Sequence, residues 1–367
     1  MPDPRITKLA KVLINYSLKI QPGEQLLIQT SPLADELTMA VYEEAIKAGA
    51  HVITMNQVPG LREIFFKNAS DEQLEYIAPV QKMMMETFDA FLHIQADSNT
   101  RSMSGVEPQK MAQFGRANAE MSKIMMQRSA TGDLKWCMTV YPTNAMAQEA
   151  DMSLADYTEF VYGAGMLNED DPTIFWQEEA KRQHKLIDWM KGRKEVVLKG
   201  ANIDITMSID GRTFIESAGT HNFPSGEVFT SPIENSAEGW VRFKYPAIRN
   251  GQEIHDIELW FEKGKVVKEK AGKNQELLTA LLDTDKGSRF LGELGIGTNY
   301  GIQRFTKNML FDEKIGGTIH LAVGAGFPEG GGKNESGLHW DMICDMHDAE
   351  ILVDGELFYK DGKIVVE

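Results

Sequence analysis

The pattern of this 367-residue chain changes character near residue 195, and that change constrains the fold more than any single motif does. Before it, apolar runs of strand length alternate with helical periodicity. Leu9, Val12, Leu13 and Tyr16 follow the i, i+3, i+4, i+7 spacing of a helix with one buried face, and Pro22-Gly23 breaks the chain after it. Gln25 to Gln29 is a short apolar strand. Leu37, Val41, Ala45 and Ala48 mark a second helix that closes at Gly49, where a left-handed C-cap is expected, and His51 to Met55 is the next strand. The rhythm returns with a strand at Ala90 to Ile94, a helix around Pro108 to Lys123 and a strand at Lys135 to Tyr141. Strands separated by helices imply a parallel, doubly wound sheet.

Ser153-Leu154-Ala155-Asp156 resembles a helix N-cap, and helical patterns then run through Trp176, Ile187 and Met190 as a bridge between domains. After Arg193 the runs shorten. Glu195 to Leu198, Ile203 to Ile209, Glu227 to Ser231 and Glu258 to Phe261 are separated by Gly, Asn and Asp, which reads as a mainly β region. A chain of this length is too long for one ordinary core. The expected architecture is therefore α/β: an N-terminal doubly wound α/β domain over residues 1–195, then a mainly β (α+β) C-terminal domain over residues 196–367 that carries a metal site.

Charge narrows the partners. With 38 Lys+Arg against 54 Asp+Glu the net charge is −16, which repels phosphate backbones and excludes nucleic acid as an expected partner. Neither a membrane-length apolar run nor a signal-peptide layout is present, so a cytoplasmic protein with no membrane partner is expected. The 2 cysteines, Cys137 and Cys344, lie far apart in apolar runs and suit a reducing compartment.

The residues that carry chemistry cluster in the second half. In Gly337-Leu338-His339-Trp340-Asp341-Met342 an imidazole and a carboxylate stand two residues apart, so a strand would aim both from one face, as a mixed N/O pair for a divalent metal. Glu227 follows a Pro-Ser-Gly turn that launches a strand, Glu293 is enclosed by Gly and apolar residues, and His320 lies in a buried-looking strand. Taken singly, each has an ordinary reading, as a solvated strand-end glutamate or a hydrogen-bonded core histidine. His221, beside the Glu227 turn, is a candidate further ligand or a donor to one; the other histidines have no partner pattern. Three carboxylates and two imidazoles exceed one closed tetrahedral zinc site and suit two metals sharing a carboxylate, an arrangement used for hydrolysis.

Several blocks carry a family resemblance: Asn222 to Pro232 (NFPSGEVFTSP), Gly292 to Asn299 (GELGIGTN), Asp312 to Gly324 (DEKIGGTIHLAVG), Gly331 to Asp341 (GGKNESGLHWD) and, near the start, Val12 to Glu24 (VLINYSLKIQPGE). Together they resemble the aminopeptidase T family of metallo-aminopeptidases, in order and over nearly the whole chain. That resemblance implies a cytosolic exopeptidase, working as a homodimer on peptides with a free N-terminus. It also implies two divalent ions per chain, Zn, Co, Mn or Mg, ligated by Glu227, Glu293, His320, His339 and Asp341, with Glu293 as the bridge. One position departs from the family pattern: Phe327 stands where a tyrosine is common, and phenylalanine offers no hydroxyl to a metal or an oxyanion.

Glu335 is a candidate general base and Lys333 a candidate oxyanion partner. Two rival readings are a mononuclear non-haem iron ring-cleaving dioxygenase, which needs only two histidines and one carboxylate, and a non-catalytic binding protein stabilised by metal. A dinucleotide-dependent dehydrogenase is set aside, because Thr30-Ser31-Pro32-Leu33 follows the first strand where a Gly-rich fingerprint belongs.

Overall fold

The computed structural model describes residues 3–249 and 251–366, which form two compact units. The first comprises Met1–Phe175 with Gly219–Pro224. Its sheet is parallel, built from β1 (Gln25–Thr30), β2 (His51–Asn56), β3 (Ala90–Gln95) and β4 (Lys135–Val140) in the order β2-β1-β3-β4, with Asn222–Phe223 added beside β4. Leu26, Leu27 and Ile28 are buried in succession, as a strand covered on both faces requires. β2 lies at the edge and is largely exposed.

Local chemistry moved two expected helices. The first is α-helical over Pro4–Lys11 and widens to a π-type turn over Val12–Ser17, which still buries Leu13 and Tyr16. The expected helix from Pro108 to Lys123 is two, Pro108–Ala117 and Ala119–Thr131. They part at Asn118, whose side-chain amide donates to the Phe114 carbonyl and competes with the helical ladder. Ser153 caps its helix as expected, its hydroxyl accepting from the Asp156 amide at 3.1 Å.

The second unit comprises Trp176–Ala218 and Ser225–Glu367. Its division from the first falls inside the helix Pro172–Met190, ahead of the change of pattern near residue 195. Leu186 and Met190 of that helix pack into the β core. An eight-stranded antiparallel sheet is organised around Glu195–Gly200 and Ile203–Ser208. A five-stranded antiparallel sheet runs in the order His339–Asp345, Thr318–Gly324, Leu291–Gly297, Glu227–Thr230, Ile215–Ser217. One apolar core draws on both sheets: Val196, Leu198 and Ile205 from the first, Val228, Leu294, Ile319, Leu321, Trp340 and Met342 from the second. Each such side chain, fully buried, contributes about 1.5–3 kcal/mol, enough to hold the five strands in register.

Candidate metal centre

Strand alternation sorts the five-stranded sheet into two chemically different faces. Val228, Leu294, Ile296, Ile319, Leu321, Val323, Trp340 and Met342 go to the core. Their neighbours in sequence, Glu227, Glu293, His320, His339 and Asp341, therefore leave by the opposite face. Register then gathers them, because Gly295 pairs with His320, Ala322 with Asp341 and with Glu293, and Gly297 with Glu227. An irregularity between Leu291 and Glu293 sets the Glu293 carboxylate on this face. Glycine is required at 295: a Cβ there would lie 1.9 Å from His320 Nε2, so the imidazole rests directly on bare backbone.

All five side chains expected to bind metal are brought together. Glu293 faces both imidazoles, with Oε1 at 3.3 Å from His320 Nε2 and Oε2 at 3.1 Å from His339 Nε2. Beyond them, Glu227 Oε2 is 3.5 Å from His320 Nε2, and Asp341 Oδ1 is 3.5 Å from His339 Nε2. Ligand atoms of Glu293, His339 and Asp341 all lie within 4.8 Å of one another. Each imidazole is oriented by its other nitrogen. His320 Nδ1 meets the Glu313 carbonyl at 3.2 Å and His339 Nδ1 the Ala325 carbonyl at 2.8 Å, leaving both Nε2 atoms for the cluster.

Two observations fit this set to cations. Glu227 Oε2 and Asp341 Oδ1 are buried with no hydrogen-bond partner among the described residues, a costly state for carboxylate oxygens unless a positive ion meets them. Charge gives the other. Burial opposes the charge on His320, but Glu293 and Glu227 outweigh it and raise its pKa to about 9. The same contest at His339, won by Asp341 and Glu293, raises it to about 11. Burial pushes Asp341 up, and His339, His320 and Lys314 more than reverse this, holding it at about 2. Glu293, likewise buried, is brought below the usual range by its bonds from both histidines. Protons on the imidazoles thus stand in for the cations that the carboxylates demand.

His320 is sealed, its side chain 1% exposed, whereas His339 is 29% exposed, so the cluster opens beside His339. Phe327 stands at that opening, edge-on to the His339 ring at 4.9 Å between centroids and to Phe229 at 5.2 Å. Glu335 is exposed on its loop, outside the hydrogen-bonded cluster, and Lys333 is exposed with its backbone amide on Glu234. His221 lies in the first unit against the Trp136 ring.

Sequence reasoning missed Glu313, Lys314 and Arg249. Lys314 is fully buried and donates to Glu227 Oε1 at 2.6 Å and to Glu313, while Arg249 donates to the His339 carbonyl at 3.3 Å. A Glu-Lys-Ile-Gly-Gly run reads as an exposed turn, and lysine is almost never fully buried without a partner, so the sequence carries no signal for it. Its place inside the Asp312 to Gly324 block does not set it apart from the other residues there.

The profile of the thermophilic metalloprotease (M29) family matches residues 2–364. Among curated proteins the chain is similar to aminopeptidase 2 of Geobacillus stearothermophilus, 28% identical, with 98% of this chain and 95% of the relative covered. It is also similar to aminopeptidase T of Thermus thermophilus, 26% identical, with 97% and 95% covered. Among solved structures, wild-type AmpT from Thermus thermophilus superposes with a TM-score of 0.86 at 23% identity, covering 99% of both chains. A dioxygenase from Pseudomonas putida KT2440 shares the fold more distantly, with a TM-score of 0.61 at 15% identity, over 99% of this chain and 96% of that one. The chain therefore belongs to the thermophilic metalloprotease (M29) family and is a metal-dependent aminopeptidase.

Proposed function

We propose that Glu227, Glu293, His320, His339 and Asp341 hold two divalent ions, with Glu293 shared between them, and that the enzyme releases N-terminal residues from peptides bearing a free α-amine. The observation that carries this reading is the division of Glu293, one oxygen toward His320 and the other toward His339. Two donor groups then share one carboxylate: Glu227 with His320, and His339 with Asp341. Mixed imidazole and carboxylate donors suit zinc, cobalt or manganese better than magnesium. When bound, such a pair lowers the pKa of water and polarises a scissile carbonyl at neutral pH.

The chain's own residues do the rest. His320 and His339, each locked through Nδ1, fix the positions of the ligand atoms before substrate arrives. A free α-amine, once neutral, is a donor that a cation held by these side chains would accept, and an internal peptide nitrogen is not, which favours an end of chain over an internal bond. Entry is from the His339 side, where Phe327 and Phe229 present aromatic edges to the first side chain of the peptide.

A cytoplasmic homodimer is the assembly we infer. Supporting it are the family resemblance, the open edge at β2 and the exposed apolar side chains Met39, Ile53, Leu61 and Ile64. The two cysteines are free and buried, and among the described residues no helix is long and apolar enough to cross a membrane. Release of leucine from an unblocked dipeptide, with and without chelator and beside an N-acetylated control, tests the activity. Equal cleavage of the blocked substrate refutes the exopeptidase reading, and one iron per chain in elemental analysis refutes the two-metal reading.

A further inference from the structure

Resting on that two-ion reading, we propose that Lys314 is a built-in counter-cation that ranks the two metal positions, making the one at Glu227 and His320 the weaker. The Lys314 side chain is fully buried, with Nζ 2.6 Å from Glu227 Oε1. Its second carboxylate partner is Glu313. Glu227 therefore spends one oxygen on a fixed ammonium and offers only Oε2, buried and unpartnered 3.5 Å from His320 Nε2. Among the described residues no ammonium or guanidinium bonds a ligand oxygen of the other group, although Arg249 feels the Asp341 charge. Glu293 turns both oxygens to imidazoles, which are neutral once they ligate a metal, and Arg249 bonds the His339 carbonyl rather than a ligand oxygen.

The lysine is held by its backbone. Its amide donates to the Phe311 carbonyl and its carbonyl accepts from the Asn299 amide, both at 3.0 Å. The backbone of Lys314 and Ile315 packs closely on Gly297, where a Cβ would come within 2.1 Å of the Ile315 oxygen and 3.0 Å of the Lys314 carbonyl carbon. An ammonium anchored in this way persists when a metal arrives at Oε2. Two consequences follow for a divalent ion there: it meets a carboxylate whose charge is already partly neutralised, and across that carboxylate it feels the Lys314 charge, which Glu313 reduces without removing. The ion at His339 and Asp341 feels the same charge from farther off.

Titration of chelator-stripped protein with Co(II), read by its visible absorption and by equilibrium dialysis, tests this. We expect two steps in the native protein, the second at least tenfold weaker. In Glu227→Gln the second step disappears while the first stays within threefold. Replacing the charge by a neutral side chain of similar length, Lys314→Met, tightens the second step at least tenfold. Two equal steps in the native protein overturn the ranking and leave the two-ion reading standing. Loss of the tight ion in Glu227→Gln reverses the ranking and refutes the proposal, a result that does not depend on Lys314→Met folding. An unchanged or weaker second step in a folded Lys314→Met also refutes it, and a single ion in native protein and both variants overturns the two-ion reading and this one together.

Discussion

Gly295→Ala is the sharpest test of how the centre is assembled, because it adds one methyl group to a backbone that is not left-handed and so perturbs space alone. The new Cβ would lie 1.9 Å from His320 Nε2, 2.0 Å from Cε1 and 2.7 Å from Cδ2. Ordinary contact begins at 3.4 Å, so the imidazole must retreat by the difference, 3.4 − 1.9 = 1.5 Å. Metal–ligand distances tolerate errors of only about 0.2 Å, and a misplacement of about 1 Å at a reacting centre costs roughly 100-fold. We expect kcat/KM for a leucyl substrate to fall by about 100-fold or more, with loss of the ion at His320. Overpacking should lower stability by only about 1–3 kcal/mol, read from the urea midpoint. Gly337→Ala is the control, since its Cβ would meet only Asp285 Oδ2, at 3.4 Å, and activity there should hold within about twofold. A Gly295→Ala enzyme with two ions and near-native kcat/KM would show that His320 is not a ligand.

Other predictions follow from the same geometry. Glu293→Gln should weaken both ions, on the order of 100-fold each, and elemental analysis after dialysis should find fewer than one ion per chain. Metal-free protein should be most stable in the mildly acidic range, between about pH 4 and 6.5. The raised pKa values of His320 and His339 give stability that is full below about pH 6.5 and is lost as pH rises through 9 to 11, and the lowered Asp341 gives stability that is lost as pH falls from about 4 toward 2. Thermal melts of stripped protein should fall on the alkaline side, and metal-loaded protein should not follow; identical profiles would mean that the imidazoles do not exchange protons for metal. Phe327→Ala should cost roughly 1–3 kcal/mol through its lost contacts with His339 and Phe229, measured by urea denaturation. Cys137 and Cys344 are buried, which raises both thiols to about 12, so neither should react with a thiol reagent before unfolding.

Periodicity located the four main strands of the first unit and the helix around Leu37 to Ala48, since a pattern of 2 or 3.6 needs only local residues to be visible, but it did not mark the helices Leu61–Asn68 and Pro79–Thr87 or the strands Glu238–Phe243, Lys265–Lys270, Ala349–Val353 and Glu356–Lys360. It also set His339 and Asp341 on one face, where the structure has them. The helix breaks at Val12 and Asn118 escaped it, because each depends on hydrogen bonds that compete with the helical ladder. Unit boundaries were less legible still: Leu186 and Met190 belong to the β core although they sit in a helix that begins in the other unit.

The sequence by itself determined which residue types are available to a metal and which face of each strand presents them, because alternation is a property of one strand. Tertiary structure decided what those residues see. Cross-strand register brought Glu293 between His320 and His339, the bare backbone of Gly295 made room for an imidazole, and a lysine with no sequence signal came to rest on Glu227. Register, close approach and the burial of a charge are relations between segments distant in the chain, and only the folded protein fixes them.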